Sequence, residues 1–151
     1  MKKGAITGLV IGAILVILVF SGIGSYNKMT ISRENVDTKS SDVDVYLQRR
    51  ADLIPNLVST VKGYVQHEEK VISDITTARE NLVNAKSMSE KANANQELSN
   101  AINALMVVVE NYPDLKANTN FINLQDELAG TENRIATARR DYNDAVKSYN
   151  S

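Results

Sequence analysis

Residues 43–85 read VDVYLQRRADLIPNLVSTVKGYVQHEEKVISDITTARENLVNA, and the spacing of their apolar side chains decides the fold. Those side chains stand at 43, 47, 51, 54, 58, 61 and 65, then, after a polar step at Glu68, at 72, 75, 78, 82 and 85. Steps of three and four place them on one face of a helix. A lone amphipathic helix leaves such a stripe in water, so the stripe demands partner helices. Pro55 lacks an N–H and crowds the carbonyl of Ala51, yet the stripe keeps its phase across it at 51, 54 and 58. A kinked but continuous helix is expected there, with helical signal to about Lys86. Leu53 and Leu57 widen its buried arc, and Gly63 marks a place where a neighbour packs closely.

Downstream, SMSEKANANQE reads as a turn and a helix start, with Ser87 or Ser89 able to cap and Glu90 in the first turn. The next helix is expected from Ser89 to Tyr112, with a stripe at 94, 98, 101, 105, 108 and 112. Pro113 ends it, and Asp114 can cap the helix after it. The last helix repeats most regularly, at 117, 121, 124, 128, 131, 135, 138, 142, 145 and 149, with Thr131 the polar exception. The expected fold is all-α: an antiparallel up-and-down four-helix bundle of long helices, preceded by one N-terminal transmembrane helix. Residues 1–27 form the anchor and residues 28–151 the bundle domain.

The anchor rests on AITGLVIGAILVILVFSGI, the uncharged run over residues 5–23. At ~1.5 Å per residue it spans about 28 Å, close to the hydrocarbon thickness of a bilayer. It is longer than the apolar core of a cleaved signal peptide, and no A-x-A site succeeds it. Membrane lipid is thus an expected partner through residues 5–23, and the cell inner membrane, crossed once, the expected location. Lys2 and Lys3 favour an inside N-terminus against Lys28 and Arg33 on the other flank, so the side that holds the bundle stays open. Gly4, Gly8 and Gly12 form G-x3-G-x3-G, a spacing that lets two membrane helices pack backbone to backbone and makes a homo-oligomer a candidate assembly.

The polar part carries little that could do chemistry. With Lys2 and Lys3 set aside, 15 basic residues face 18 acidic ones, and no basic face exists for nucleic acid. The chain has no cysteine, which excludes disulfides, thiolate nucleophiles and zinc–thiolate sites. His67, the single histidine, has Val71 at i+4 and Tyr64 at i−3, so no helical metal pair forms around it. Asp42 with Asp44, and Glu68 with Glu69, point to different sides of a helix. No catalytic, metal or cofactor site is expected. The ionisable residues of interest are Arg49, Arg50, Glu127, Glu132, Arg134, Arg139 and Arg140. If the edges of the first and last helices face one another, Arg50 with Glu127 or Glu132 makes a partly buried bidentate pair that fixes helix register. Arg49, Arg50, Glu127, Glu132 and Arg139 are therefore candidate register or partner residues.

Longer motifs add a resemblance. RRADLIPNLVSTVKGY (49–64) with His67-Glu68, ENYPDLKANTNFINLQDEL (110–128) and TENRIATARRDYNDAV (131–146) with Tyr149-Asn150 resemble the bacterial LemA family. The resemblance covers the chain from Tyr26 onward. It implies a single-pass membrane protein with an antiparallel four-helix bundle and no established enzymatic activity. Lys39 and Ser40 stand where family members usually carry Ala-Trp, which removes an aromatic anchor from the first helix. The functional expectation is a membrane-anchored, non-enzymatic scaffold or interaction protein, self-assembling or bound to a membrane protein. The alternative is an accessory or regulatory subunit of a membrane-bound enzyme such as a peptidase.

Overall fold

The computed structural model describes residues 3–65 and 67–151; within 3–25, side chains are described only at 8, 10–12, 14–16 and 18. Among the described residues five helices succeed one another: α1 (Lys3–Lys62), α2 (Glu69–Asn84), α3 (Met88–Val109), α4 (Pro113–Lys116) and α5 (Thr119–Tyr149). The core starts at Val43 and collects Leu47, Ala51, Ile54, Leu57 and Val61 from α1. It adds Ile75, Ala78 and Leu82 from α2, Leu98 and Leu105 from α3, and Phe121, Leu128 and Ile135 from α5. Leu57 rather than Val58 takes the fully buried place on α1.

The chain reverses where the stripe runs on. α1 ends at Lys62 and α2 begins at Glu69, so the helix expected to persist to Lys86 is two helices. Val65 sits in the turn and is itself buried, hydrogen-bonded from its N–H to Val61 O at 3.1 Å, and the apolar pattern therefore passes through the reversal without a gap. Gly63 belongs to this turn; a Cβ there would meet only the Thr60 carbonyl, at 3.4 Å, so no neighbouring helix crosses at Gly63. The turn is held to the far loop by Asn118 Nδ2, which donates to Tyr64 Oη at 2.9 Å. Asn118 also caps α5, its Oδ1 accepting from Phe121 N at 3.0 Å. Asp114, expected to cap, lies inside α4, where Pro113 takes the first position. Ser87 caps α3 in a reciprocal box with Glu90.

α1 passes through Pro55 without ending. The missing N–H leaves Ala51 O without its helical donor, and α2 supplies a substitute: Arg79 Nε donates to Ala51 O at 2.9 Å. A proline tolerated inside a helix is thus tied to a cationic side chain on its neighbour.

The expected four-helix bundle with a separate preceding membrane helix is corrected on two counts. First, packing is unequal. α1 pairs chiefly with α5 and α2 with α3, α1 meets α2, and α3 approaches α5 little. A closed bundle would pack all four sides, whereas here the side between α3 and α5 stays open. Second, residues 5–23 are no element of their own but the beginning of the 60-residue α1. Among the described residues, no helix is long and apolar enough to cross a membrane. On that finding the anchor over 5–23 is withdrawn. Its lipid partner, the single-pass inner-membrane location and the anchored scaffold or accessory subunit built upon it go too. The described apolar side chains there, among them Val10, Ile14 and Leu18, are exposed. Gly8 and Gly12 have nothing within 4 Å of a built Cβ, so they mediate no close approach within the chain. The side chain position of Gly4 lies outside the described residues.

Candidate interaction groove

Arg50 stands one position before the core residue Ala51, and α1 therefore carries it inward, between α3 and α5. Only 4% of it is exposed. Burial depresses the guanidinium's affinity for its proton, and the neighbouring Glu132 carboxylate opposes that; an arginine stays charged under either influence. Nη1 donates to Glu132 Oε2 at 2.5 Å on α5 and, on α3, to Asn95 Oδ1 at 2.5 Å and Ser99 Oγ at 3.0 Å. Asn95 Nδ2 completes the circuit to the two Glu132 oxygens at 3.4 and 3.3 Å. Ser99 Oγ in turn donates to Asn95 O at 3.0 Å. A single cation thereby ties together the two helices that fail to pack, and the buried polar groups satisfy one another. Among the described residues, the buried side-chain atom without a protein hydrogen-bond partner is Arg50 Nε. The contact to Glu132 goes through Nη1 alone, so the pair is not the two-pronged one that a guanidinium can form.

Beside this cluster the open side forms a groove of about 420 Å³. Leu57, Ile102, Met106, Leu128 and Ala129 give it an apolar floor, and Gln96, Ser99, Asn103, Gln125 and Glu132 a polar rim. Gln125 Nε2 donates to Met106 Sδ at 3.0 Å across it. On the same two helices, Val107 is 72% exposed and Ile122 42%. Size and lining place the groove in the range of binding sites, with an apolar centre and a polar edge.

The other candidates fall elsewhere. Arg49 faces Glu127 at 3.8 Å, both more than half exposed, an ion pair worth little. Arg139 and Arg140 are exposed and take no part in the cluster, while Arg134 lies over the Tyr46 ring at 6.0 Å. Thr131, the polar member of the last stripe, is buried and donates to Glu127 O at 2.7 Å. His67 is exposed. Among the described residues no group of three or more His, Cys, Asp or Glu could hold a metal ion.

Asn95, Ser99 and Arg79 were not singled out in the sequence. A signal for the groove does exist there: Leu98 to Val109 holds no charged residue in a chain that is 23% charged. An exposed helix face so free of charge is not an ordinary solvated one.

Comparison with known proteins relates the chain to one family. A family model described as the LemA family matches residues 39–151. Magnetosome protein MamQ 2 of Paramagnetospirillum magneticum is 26% identical over 176 residues, covering 98% of this chain and 65% of that protein. Magnetosome protein MamQ of Magnetospirillum gryphiswaldense is 24% identical over 162 residues, with 90% and 60% covered. Protein LemA of Metamycoplasma hominis is 26% identical over 136 residues, with 89% and 62% covered. The chain spans less than two thirds of the length of these relatives.

Proposed function

The chain belongs to the LemA family, and we propose that it is a non-enzymatic interaction domain that receives a partner polypeptide in the groove between α3 and α5. The observation that carries the reading is the open side of the helix assembly: half-covered Ile102 and Met106 beside the buried Leu57 and Leu128, under a polar rim whose carboxylate, Glu132, is paired with Arg50. Packed helices ordinarily close over such surface, because each buried Å² of apolar area contributes roughly 25 cal/mol. Half-covered apolar side chains in the groove, with exposed Val107 and Ile122 on the same two helices, have the anatomy of a protein interface. Met106 suits the role, since an unbranched thioether adapts to the shape of what it meets.

Position-resolved crosslinking in cells tests this. A photoreactive residue at Asn103, on the rim, is compared with one at Glu80, exposed on α2. A discrete adduct is expected from position 103 alone, abolished by Ala129→Arg, which fills the groove from an exposed helical position. Equal adducts from both positions, or an adduct indifferent to Ala129→Arg, overturn the proposal.

A further inference from the structure

The long helices join as two pairs whose seams differ in kind. α1 lies along α5 and α2 along α3, while α3 stands off from both α1 and α5. The α2/α3 hairpin leaves and rejoins the α1/α5 pair at one end. There Val61, Val65, Val109, Leu115 and Phe121 are buried, and Asn118 donates to Tyr64 Oη at 2.9 Å. The hairpin's other end is the turn between Asn84 and Met88, which no chain connection ties to the α1/α5 pair. Polar groups fasten that half. Lys91 Nζ donates to Asp44 Oδ1 at 2.6 Å, Arg50 donates to Asn95 and Ser99, and Arg79 donates to Ala51 O. The core residues under it include the small Ala51, Ala78 and Ala94 beside Leu47, Leu82 and Leu98. A cleft of about 230 Å³ lies there between Asp44, Leu47, Gln48, Leu82 and Lys91. On opening, water replaces the partners of polar groups, whereas apolar burial is lost outright, so the tip is held less firmly than the tethered end. The charges are also placed for release. Arg50 and Glu132 both belong to the α1/α5 pair, so lifting α3 takes the neutral Asn95 and Ser99 from the cluster and leaves that ion pair whole.

We propose that the α2/α3 hairpin is a flap that swings away from α1 tip first, its tethered end and the α1/α5 pair remaining intact, and uncovers the α1 face that carries Leu47 and Ala51. Lys91 with Asp44, Arg50 with Asn95 and Ser99, and Arg79 with Ala51 O are the clasp. The device is independent of what the groove between α3 and α5 receives.

The test places a buried thiol in the full chain, which has no cysteine of its own. Ala51→Cys puts it under the flap, where the alanine is 1% exposed, and a small maleimide reports each opening. Labelling is expected about tenfold or more faster than global unfolding permits, and with a weaker urea dependence; circular dichroism in urea supplies the global values. Asp44→Asn removes the ion pair at the tip and is expected to speed labelling about threefold. Ala145→Gly is the counter-test. From Asn95 to Ser87 the flap reaches about 12 Å beyond the level of Arg50, whereas Ala145 lies about 20 Å beyond Glu132 on α5. That substitution weakens a helix that stays intact in the open form, so it lowers global stability and leaves the labelling rate unchanged. Leu82→Cys, on the flap's own buried face, gives the same pattern from the other side of the seam and serves where Ala51→Cys disturbs the fold. Labelling no faster than global unfolding permits, a rate that rises with Ala145→Gly, or one indifferent to Asp44→Asn overturns the flap.

Discussion

Replacing Arg79 is expected to expose how α1 survives Pro55. Arg79 Nε donates to Ala51 O at 2.9 Å, the carbonyl that an N–H at position 55 would otherwise meet. A hydrogen bond from a charged donor contributes about 1.5–3 kcal/mol, and the half-buried setting points to the lower end. Arg79→Met keeps most of the aliphatic stem and removes the donor, so a loss of about 1.5 kcal/mol is expected. For a chain of this size that lowers Tm by about 3–6 °C. In a Pro55→Ala background the N–H of residue 55 reaches Ala51 O along the helix, and Arg79→Met should then remove less than about 0.5 kcal/mol. The coupling between the two positions is therefore about 1 kcal/mol, well above the scatter expected for independent sites. Urea unfolding of the full-length chain, monitored by circular dichroism with the m-value held as a check, measures all four corners of the cycle. An equal loss in both backgrounds would refute the reasoning and assign the role of Arg79 to packing of its stem.

The contacts set three further outcomes. Glu132→Leu leaves the buried Arg50 without its carboxylate and should destabilise the chain by about 2 kcal/mol, less than a wholly buried pair because Glu132 is 41% exposed. Adding Arg50→Met should restore most of that, as measured by the same unfolding curves. The Glu90 carboxylate accepts from the N–H groups of Lys86 at 2.8 Å and Ser87 at 3.1 Å, which hold its pKa below the usual range. Its stabilisation is present above the ordinary glutamate value and is lost as pH falls through the lowered one. The Tm advantage of the wild type over Glu90→Gln should accordingly shrink from neutral pH to about pH 3. An advantage that grows on acidification would contradict this sign. Tyr64→Phe removes the acceptor for Asn118 and should cost about 0.5 kcal/mol while speeding amide exchange at Val65 in the turn.

Much of the helical layout was legible because burial tracks the three-and-four spacing closely. Val43, Leu47, Ala51, Ile54 and Val61 of the opening stretch are all buried, as are Phe121, Leu128, Thr131, Ile135, Ala138 and Ala145 of the last helix. The reversal after Lys62 was not legible, for a physical reason. Periodicity reports which side chains face the core, and α1, the turn and α2 all send apolar groups into the same core. Val65 closes the interval that would have betrayed the turn. Gly63 was the remaining mark, and a single glycine inside a helical pattern has too many readings to fix a break.

Arg50 and Glu132 could be picked out because each neighbours a stripe residue, Ala51 and Thr131, on helices whose stripes face each other. Proximity to a stripe predicts that a side chain lies at a helix edge, and two edges on packed helices bring opposite charges together. Asn95 escapes that logic: it is 3% exposed, yet an uncharged amide beside Ala94 has no signature that separates a buried hydrogen bond from a solvated one. The open side between α3 and α5 escapes it more completely. A stripe says how much of a helix is apolar, not how many neighbours cover it. α3 satisfies most of its stripe against α2, with Leu98 and Leu105 buried, while Ile102 and Met106 remain half-covered at the groove. Charge, rather than hydrophobicity, is what distinguishes such a face. A helix edge meant for water carries lysine and glutamate, whereas Leu98 to Val109 carries neither, so the absence of charge over three turns was the sequence's own statement that this face has business other than with solvent.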